Sequence, residues 1–228
     1  EYVESKGAIF ISTPFSRAAA IRLEAMGVVA YKIGSGECNN YPLISHIAGY
    51  GKPVLLSTGM NDLETIKPAV QIIEEHEIPY ALLHCVNVYP APASLLRLGA
   101  IGDLRKNFPN AQIGFSDHSV GNYASFAAVG LGANIIERHY TDHFERSGPD
   151  ISCSIDEAGL TDLIAGCEVV RQARGGRKEK IPEEKSTEQF AYASVVAVRS
   201  ISKGEIFSKS NIWVMRPGTG GIPAARYW

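Results

Sequence analysis

Three observations predict an α/β fold built on a parallel sheet for this 228-residue chain. Short apolar runs alternate with stretches of helical spacing. The runs are continuously apolar rather than alternating, as strands covered on both faces are. Nearly every run ends in small polar or ionisable residues, and in parallel α/β architectures the carboxyl ends of the strands form the face that holds the functional site.

The first run, residues 8–12 (AIFIS), leads to Thr13 and then to Ser16, an N-cap for a helix over 17–26 with Gly27 at its C′ position. A strand over 28–33 closes in Gly34, Ser35, Gly36 and Glu37, and a short helix ends near Gly49. Residues 53–57 form the next strand. Asn61, with Glu64 three residues later, predicts a capping box for a helix reaching about Glu75. The strand over 80–85 is followed by Asn87 and Tyr89, then by a helix around 95–107.

From Gly114 to Asp150 the pattern is strand, helix, strand. The first strand ends in Ser116, Asp117 and His118, a Gly- and Ala-rich helix follows, and the second strand ends in Glu137, Arg138 and His139. Such strands are parallel and open on the same face, and neighbours lie ~4.8 Å apart, so two imidazoles leaving that face reach one metal ion or one substrate. At roughly 25 to 30 residues per unit, six units match a (β/α)₈ TIM barrel of ~250 residues whose first two strands are missing.

A last amphipathic helix is predicted over 160–174, which closes a partial barrel domain over 1–174. Gly175, Gly176 and the charged run from Arg177 to Lys185 mark a linker over 175–188. Apolar runs at 193–198 and 212–215 around the turn at Lys203 and Gly204 predict a small, truncated β-rich domain over 189–228. The chain opens on Glu1 without a methionine and stops at Trp228 just after a Gly/Pro turn, the pattern of a fragment or of trimmed ends.

The formal charge of −2 and the lack of a long basic tract argue against nucleic acid as a partner. No apolar run approaches the ~20 residues that span a bilayer and no signal-peptide pattern opens the chain, so a cytoplasmic location is expected. Cys38, Cys85, Cys153 and Cys167 have neither CxxC nor CxxxC spacing and read as reduced core residues.

Thr13, Lys32, Ser35, Glu37, Ser57, Asn87, Tyr89, Ser116, His118, His139 and Asp150 all fall at or just past strand ends. Lys32 sits inside an otherwise apolar strand; a lysine snorkelling at a sheet edge would also read this way, but in a barrel a functional role is favoured. Thr13, Ser35, Asn87 and Ser116 are small donors suited to a phosphate or carboxylate, although each alone is more often a cap or turn residue. His118 and His139 fit a divalent metal with open positions, Mn²⁺, Mg²⁺, Fe²⁺ or Zn²⁺, and fit equally a hydrogen-bonded pair or an acid/base pair without metal. His143 is the runner-up ligand; His46, His76 and His84 read as structural. Glu37 and Asp150 are candidate general acid/base groups.

The strings STPFSRAAA, YKIGSGECNNYPLI, KPVLLSTGM, ALLHCVNVYP, GFSDHS, ERHYTD, RSGPDISCS and ARGGRK closely resemble the bacterial sialic acid synthase (N-acetylneuraminate synthase) family. FAYASVVAVRSISKGEIFSKSNIWVMRPGTG resembles that family's antifreeze-like (SAF) domain. The string SGECNNYPL favours the sialic acid branch over its pseudaminic and legionaminic siblings. The resemblance implies condensation of phosphoenolpyruvate with N-acetylmannosamine. It implies phosphoenolpyruvate bound by Thr13, Lys32, Ser35, Ser57, Asn87 and Ser116, a divalent cation, typically Mn²⁺, on His118 and His139, and Glu37 handling protons. Tyr89 and Asp150 would contact the sugar. Phe190 and Arg216 would reach the sugar pocket of a partner subunit, which implies a domain-swapped homodimer. Also implied is the absence here of a glutamate, a phosphate-binding lysine and a sugar-binding glutamine that precede these motifs in the family. A non-catalytic carbohydrate- or ice-binding module is the reading from another class. Two exposed sheet edges predict that this stretch alone is inactive and aggregation-prone.

Overall fold

The computed structural model describes residues 2–218 and 221–227. Glu1 and Trp228, the outer limits of the two sequence-predicted domains, and Thr219 and Gly220 of the RPGTG string, lie outside the described residues. The chain divides into two compact units, residues 1–175 and 176–228.

In the first unit, five parallel strands stand in sequence order: β1 (Tyr31–Ile33), β2 (Val54–Ser57), β3 (Tyr80–Cys85), β4 (Gln112–Asp117) and β5 (Ile135–Arg138). Helices fill the connections, as parallel pairing requires. A single helical turn α1 (Tyr2–Ser5) and α2 (Arg17–Ala25) precede the sheet. Then come α3 (Tyr41–Ala48), α4 (Leu63–Glu75), α5 (Ala100–Asn107), α6 (Tyr123–Gly130) and, after β5, α7 (Glu157–Ala173). Ser16 caps α2 by accepting from Ala19 N at 3.1 Å, and Gly27 takes the left-handed C′ conformation at φ 75°.

Successive side chains on a strand point to opposite faces, which sorts the sheet into two rows. Tyr31, Ile33, Val54, Leu56, Tyr80, Leu82, Ile113 and Phe115 face the helices and form one core with Ile44, Ile47, Ile73 and Ile101. The opposite row carries Lys32, Ser57, Cys85, Ser116 and Glu137. Register sets these groups beside one another: Ser57 pairs with Leu83, Cys85 with Ser116, and Ser116 with Glu137.

The sheet is strongly curled. β1 and β5 are its outermost strands, and in a flat sheet four spacings of ~4.8 Å would hold them ~19 Å apart. Yet Lys32 Nζ on β1 lies 3.3 Å from the Glu137 carboxylate on β5. The concave side therefore closes on itself at the carboxyl ends of the strands.

Several local expectations are corrected. Residues 8–12 do not form a full strand: only Ser12 bridges to Tyr31, and Ile9 is 70 % exposed. The single bridge to β1 leaves the rest of the segment without ladder hydrogen bonds. The strand predicted over 28–33 is confined to Tyr31–Ile33. The helix expected from about residue 95 begins at Ala100, because Arg97 adopts φ 45° and only a 3₁₀ turn forms at Ala93–Leu95. Asp62, not Asn61, caps α4 by accepting from Thr65 N at 2.9 Å, and Asn61 instead donates to Ser35 O and Gly59 O. The last helix starts at Glu157 rather than 160, after the Asp156 cap.

The second unit contains a 3₁₀ turn at Pro182–Glu184, α8 (Lys185–Ala191) and an antiparallel pair, β6 (Ser194–Ala197) and β7 (Ile212–Met215). The connection between the strands is organised by Glu205, which takes Arg199 and the buried Asn211 as partners. Among the described residues all four cysteines are free, with Cys38, Cys85 and Cys153 buried. No helix among them is long and apolar enough to cross a membrane.

Candidate active site

A cleft of about 290 Å³ opens at the carboxyl ends of the five strands, lined by Lys32, Gly34, Ser35, Ser57, Tyr89, Ser116, Glu137 and Arg138 with the two histidines His118 and His139. Seven residues singled out from the sequence meet there: Lys32, Ser35, Ser57, Tyr89, Ser116, His118 and His139.

One side of the cleft is a donor cluster. Lys32 Nζ donates to Ser57 Oγ at 2.8 Å and pairs with Glu137. Ser35, in the 3₁₀ turn that follows β1, accepts from Gly59 N at 3.0 Å and lies 3.0 Å from Cys85 Sγ. Ser35, Ser57 and Ser116 are buried. Gly59 is required by close approach: a Cβ there would collide with Asn87 Oδ1 and come within 2.6 Å of Cys85 Sγ. The Cys85 thiol, pushed upward by burial, remains protonated and donates to Asn87 Oδ1 at 3.4 Å. Asn87 in turn donates to the Tyr89 hydroxyl at 3.3 Å, and burial also raises that hydroxyl. A lysine with several hydroxyls around one space is the chemistry that receives a small anion.

The other side holds the imidazoles. His118 follows β4 and His139 follows β5, and their rings lie 5.3 Å apart, edge to face. Tyr89 stacks on His118 at 4.2 Å and meets His139 edge-on at 5.8 Å. His118 Nδ1–H donates to Val86 O at 2.8 Å, which leaves the lone pair on Nε2. Burial lowers the affinity of this ring for a second proton, so the neutral form that can ligate a metal is favoured. His139 Nδ1 is 3.9 Å from the Asp150 carboxylate. Among the described residues no three His, Cys, Asp or Glu side chains converge as a closed metal site. His118 Nε2 has only the Ser116 hydroxyl beside it, at 3.5 Å, and two imidazoles on one cleft fit a divalent ion that takes its other ligands from water and substrate.

The other sequence candidates do not line the cleft. Thr13 packs beside Gly34, where a Cβ would lie 3.8 Å from its methyl group. Glu37 closes the same 3₁₀ turn as Ser35 and accepts from Asn40 Nδ2 at 2.6 Å. Asp150 has φ 64° and accepts through its carbonyl from Ser154 Oγ and Cys153 Sγ. Phe190, on α8, and Arg216, after β7, belong to the second unit. His143 is occupied locally, its Nδ1 accepting from Glu145 N. His84 is buried against Leu96 O and Phe115 on the helix side, and His46 pairs with Tyr50. Gly34, Glu137 and Arg138 are the cleft residues that strand-end reading did not single out, and Glu137 is the carboxylate among them. Its signal was position: two residues before His139 on one strand, it must share that residue's face.

The fold and cleft define an α/β protein whose site lies at the carboxyl ends of parallel strands. The chain belongs to the NeuB family, whose model matches residues 1–179, and it carries a SAF domain match over residues 192–227. It is 37 % identical to the N,N'-diacetyllegionaminic acid synthase of Campylobacter jejuni, over 96 % of this chain and 66 % of that protein. It is 32 % identical to the human N-acetylneuraminate-9-phosphate synthase, over 97 % of this chain and 62 % of that protein. Among solved structures, N-acetylneuraminic acid synthetase of Leptospira borgpetersenii, in complex with citrate, superposes with a TM-score of 0.77 at 34 % identity, covering 81 % of this chain and 65 % of that one. The chain thus spans less than two thirds of the length of these relatives.

Proposed function

We propose that the protein to which this chain belongs is a divalent-metal-dependent N-acetylneuraminate synthase, which joins phosphoenolpyruvate to open-chain N-acetylmannosamine and releases phosphate. The observation that carries the reading is the single cleft in which Lys32, Ser35, Ser57 and Ser116 face His118 and His139. One half suits the phosphate and carboxylate of phosphoenolpyruvate, the other a cation-assisted carbonyl. The names of the relatives support the reaction class.

In this reading Lys32 and the hydroxyls of Ser35, Ser57 and Ser116, with Thr13 and Asn87, hold the anionic groups and orient the enol carbon toward the aldehyde. His118 and His139 would hold the cation, Mn²⁺ or another divalent ion, which would supply Lewis-acid chemistry to the aldehyde oxygen. The C2=C3 electron pair forms the new bond to the aldehyde carbon, and the aldehyde oxygen takes up a proton to become a hydroxyl. Water adds at C2 and gives up its proton to Glu37. The bond between C2 and the bridging oxygen then breaks as the new C2 hydroxyl passes its remaining proton to the departing phosphate, which leaves inorganic phosphate and the C2 ketone. Tyr89 and Asp150 contact the sugar. Arg216 reaches the acetamido group, and Phe190 lines the same pocket, in a partner subunit of a domain-swapped homodimer working in the cytoplasm. The curled sheet is the greater part of a (β/α)₈ barrel whose first two strands lie outside this chain.

A second reading is favoured by the 37 % identity to a diacetyllegionaminic acid synthase: the same chemistry on a diacetamido-trideoxy sugar. Assaying phosphate release by the full-length protein with each acceptor separates them. Turnover confined to the diacetamido sugar would refute the first reading and keep the mechanism.

A further inference from the structure

We propose that the buried ion pair between Asp117 and Arg138 is the positioning device that sets His118 beside His139 and ties the Asp150 turn to them. This rests on the reading that the two imidazoles form one site. Asp117 and Arg138 are direct register partners, the last residues of β4 and β5. Their side chains are 0 % and 3 % exposed, and Arg138 Nη1 lies 2.9 Å from Asp117 Oδ2. Each is followed by one histidine. By strand alternation the paired side chains turn away from the face that Ser116, Glu137 and the two imidazoles share, although Arg138 still borders the cleft.

The surrounding bonds extend the hold. Asp117 Oδ1 accepts from Ser119 N at 2.8 Å and Ser119 Oγ at 2.7 Å, and Oδ2 accepts from Ser125 Oγ at 2.7 Å. Oδ1 thereby holds the turn after β4, while Oδ2 joins the first turn of α6 to Arg138, whose Nη1 approaches it as a charge without hydrogen-bond geometry. Arg138 Nη2 donates to Ser119 O at 3.0 Å and to Cys153 O at 3.2 Å. The second contact reaches the turn that Asp150 opens, whose carboxylate stands 3.9 Å from His139. One guanidinium thus touches, directly or through one residue, the backbone that carries His118, His139 and Asp150.

A buried ion pair is a poor source of stability, because the desolvation cost offsets most of the attraction. What such a pair supplies is specificity. A slip of one residue between β4 and β5 would turn every side chain of one strand to the opposite face, and would bury the two charges without partners. The pair therefore excludes the registers in which the histidines part company. Asp117 and Arg138 are positioning residues: they act through the imidazoles.

The test uses the full-length protein, with Asp117→Asn, Arg138→Lys and the milder Ser125→Ala, which removes one donor to Asp117 and keeps the pair. Three quantities are read: Mn²⁺ affinity without substrate from the electron paramagnetic resonance of free Mn²⁺, phosphoenolpyruvate affinity by calorimetry in chelator, and histidine ring shifts by ¹⁵N NMR. The expected result is a 10- to 100-fold loss of Mn²⁺ affinity, the range typical for groups that orient metal ligands. Phosphoenolpyruvate affinity should change less than about threefold, and the ring signals of His118 and His139 should shift while those of His46 and His76 stay. If the first two variants do not fold, Ser125→Ala must show the same selective pattern at smaller size. Wild-type Mn²⁺ affinity and unmoved ring signals in a folded variant would overturn the proposal, as would parallel loss of both ligands. If the wild type itself binds no Mn²⁺, the metal reading falls, and the ring shifts alone decide the positioning claim.

Discussion

Lys32 and Glu137 come from the two outermost strands of a five-stranded sheet and still meet at 3.3 Å. The contact measures how far the sheet curls, and it sets the state of the cleft. The Lys32 side chain is 13 % exposed and is held by Glu137 and Ser57. An arriving anion must share it with a carboxylate.

Lys32→Met should therefore weaken phosphoenolpyruvate binding by roughly 10- to 100-fold, from the loss of a charge-assisted hydrogen bond of about 1.5–3 kcal/mol. Glu137→Gln should change affinity in the opposite direction, because it removes the competing negative charge. Calorimetric titration of both variants of the full-length protein checks the pair of signs. Weaker binding in Glu137→Gln would show that the carboxylate supports the lysine instead of competing for it.

Gly59→Ala places a methyl group against Asn87 and within 2.6 Å of Cys85 Sγ. Both neighbours belong to the donor cluster. Overpacking of this kind costs about 1–3 kcal/mol and should also displace Ser35, which accepts from Gly59 N. Urea unfolding should show the lowered midpoint, with phosphoenolpyruvate affinity reduced in parallel. A variant of unchanged midpoint would mean that the loop yields without strain.

Burial lowers the proton affinity of His84, whose Nε2–H donates to Leu96 O at 2.7 Å. The unfolded chain takes this proton near pH 6.5, and the folded protein takes it only below that. Within the window the unfolded state binds more protons, so stability falls as the pH drops below about 6.5. Above that value the contribution of His84 is complete. Ring NMR should place its midpoint below the ordinary histidine value, and a midpoint at or above it would contradict the burial argument.

The open edges at residues 8–12 and at β5 should make this chain alone associate. Light scattering after gel filtration should find mass above the monomer and no turnover. A monodisperse, catalytically active 228-residue chain would refute the reading that two further strands complete the barrel.

The strands were legible because apolar runs that end in Ser57, Cys85 and Ser116, or that hold one charge as at Lys32, are local signals. The cleft was legible because parallel strands bring such ends to one face. Glu137 escaped because its partner is 105 positions away along the chain, from residue 32 to residue 137, and only the curl of the sheet brings the two together. Asp117 and Arg138 escaped for a similar reason: adjacent to the histidines in sequence, they point to the opposite face and acquire meaning only from register. The cap of α4 was misplaced by one residue because Asn61 and Asp62 are both good caps. Asn61 is instead committed to the carbonyls of Ser35 and Gly59.

The most direct measurement is phosphate release from phosphoenolpyruvate by the full-length protein, with N-acetylmannosamine and Mn²⁺, with and without chelator, beside His118→Ala. Release should require both sugar and metal, be abolished by chelator and return on adding Mn²⁺, with His118→Ala inactive at any Mn²⁺ concentration. Release that survives chelator, or that proceeds unchanged in His118→Ala, would contradict the assignment of the two histidines to the metal.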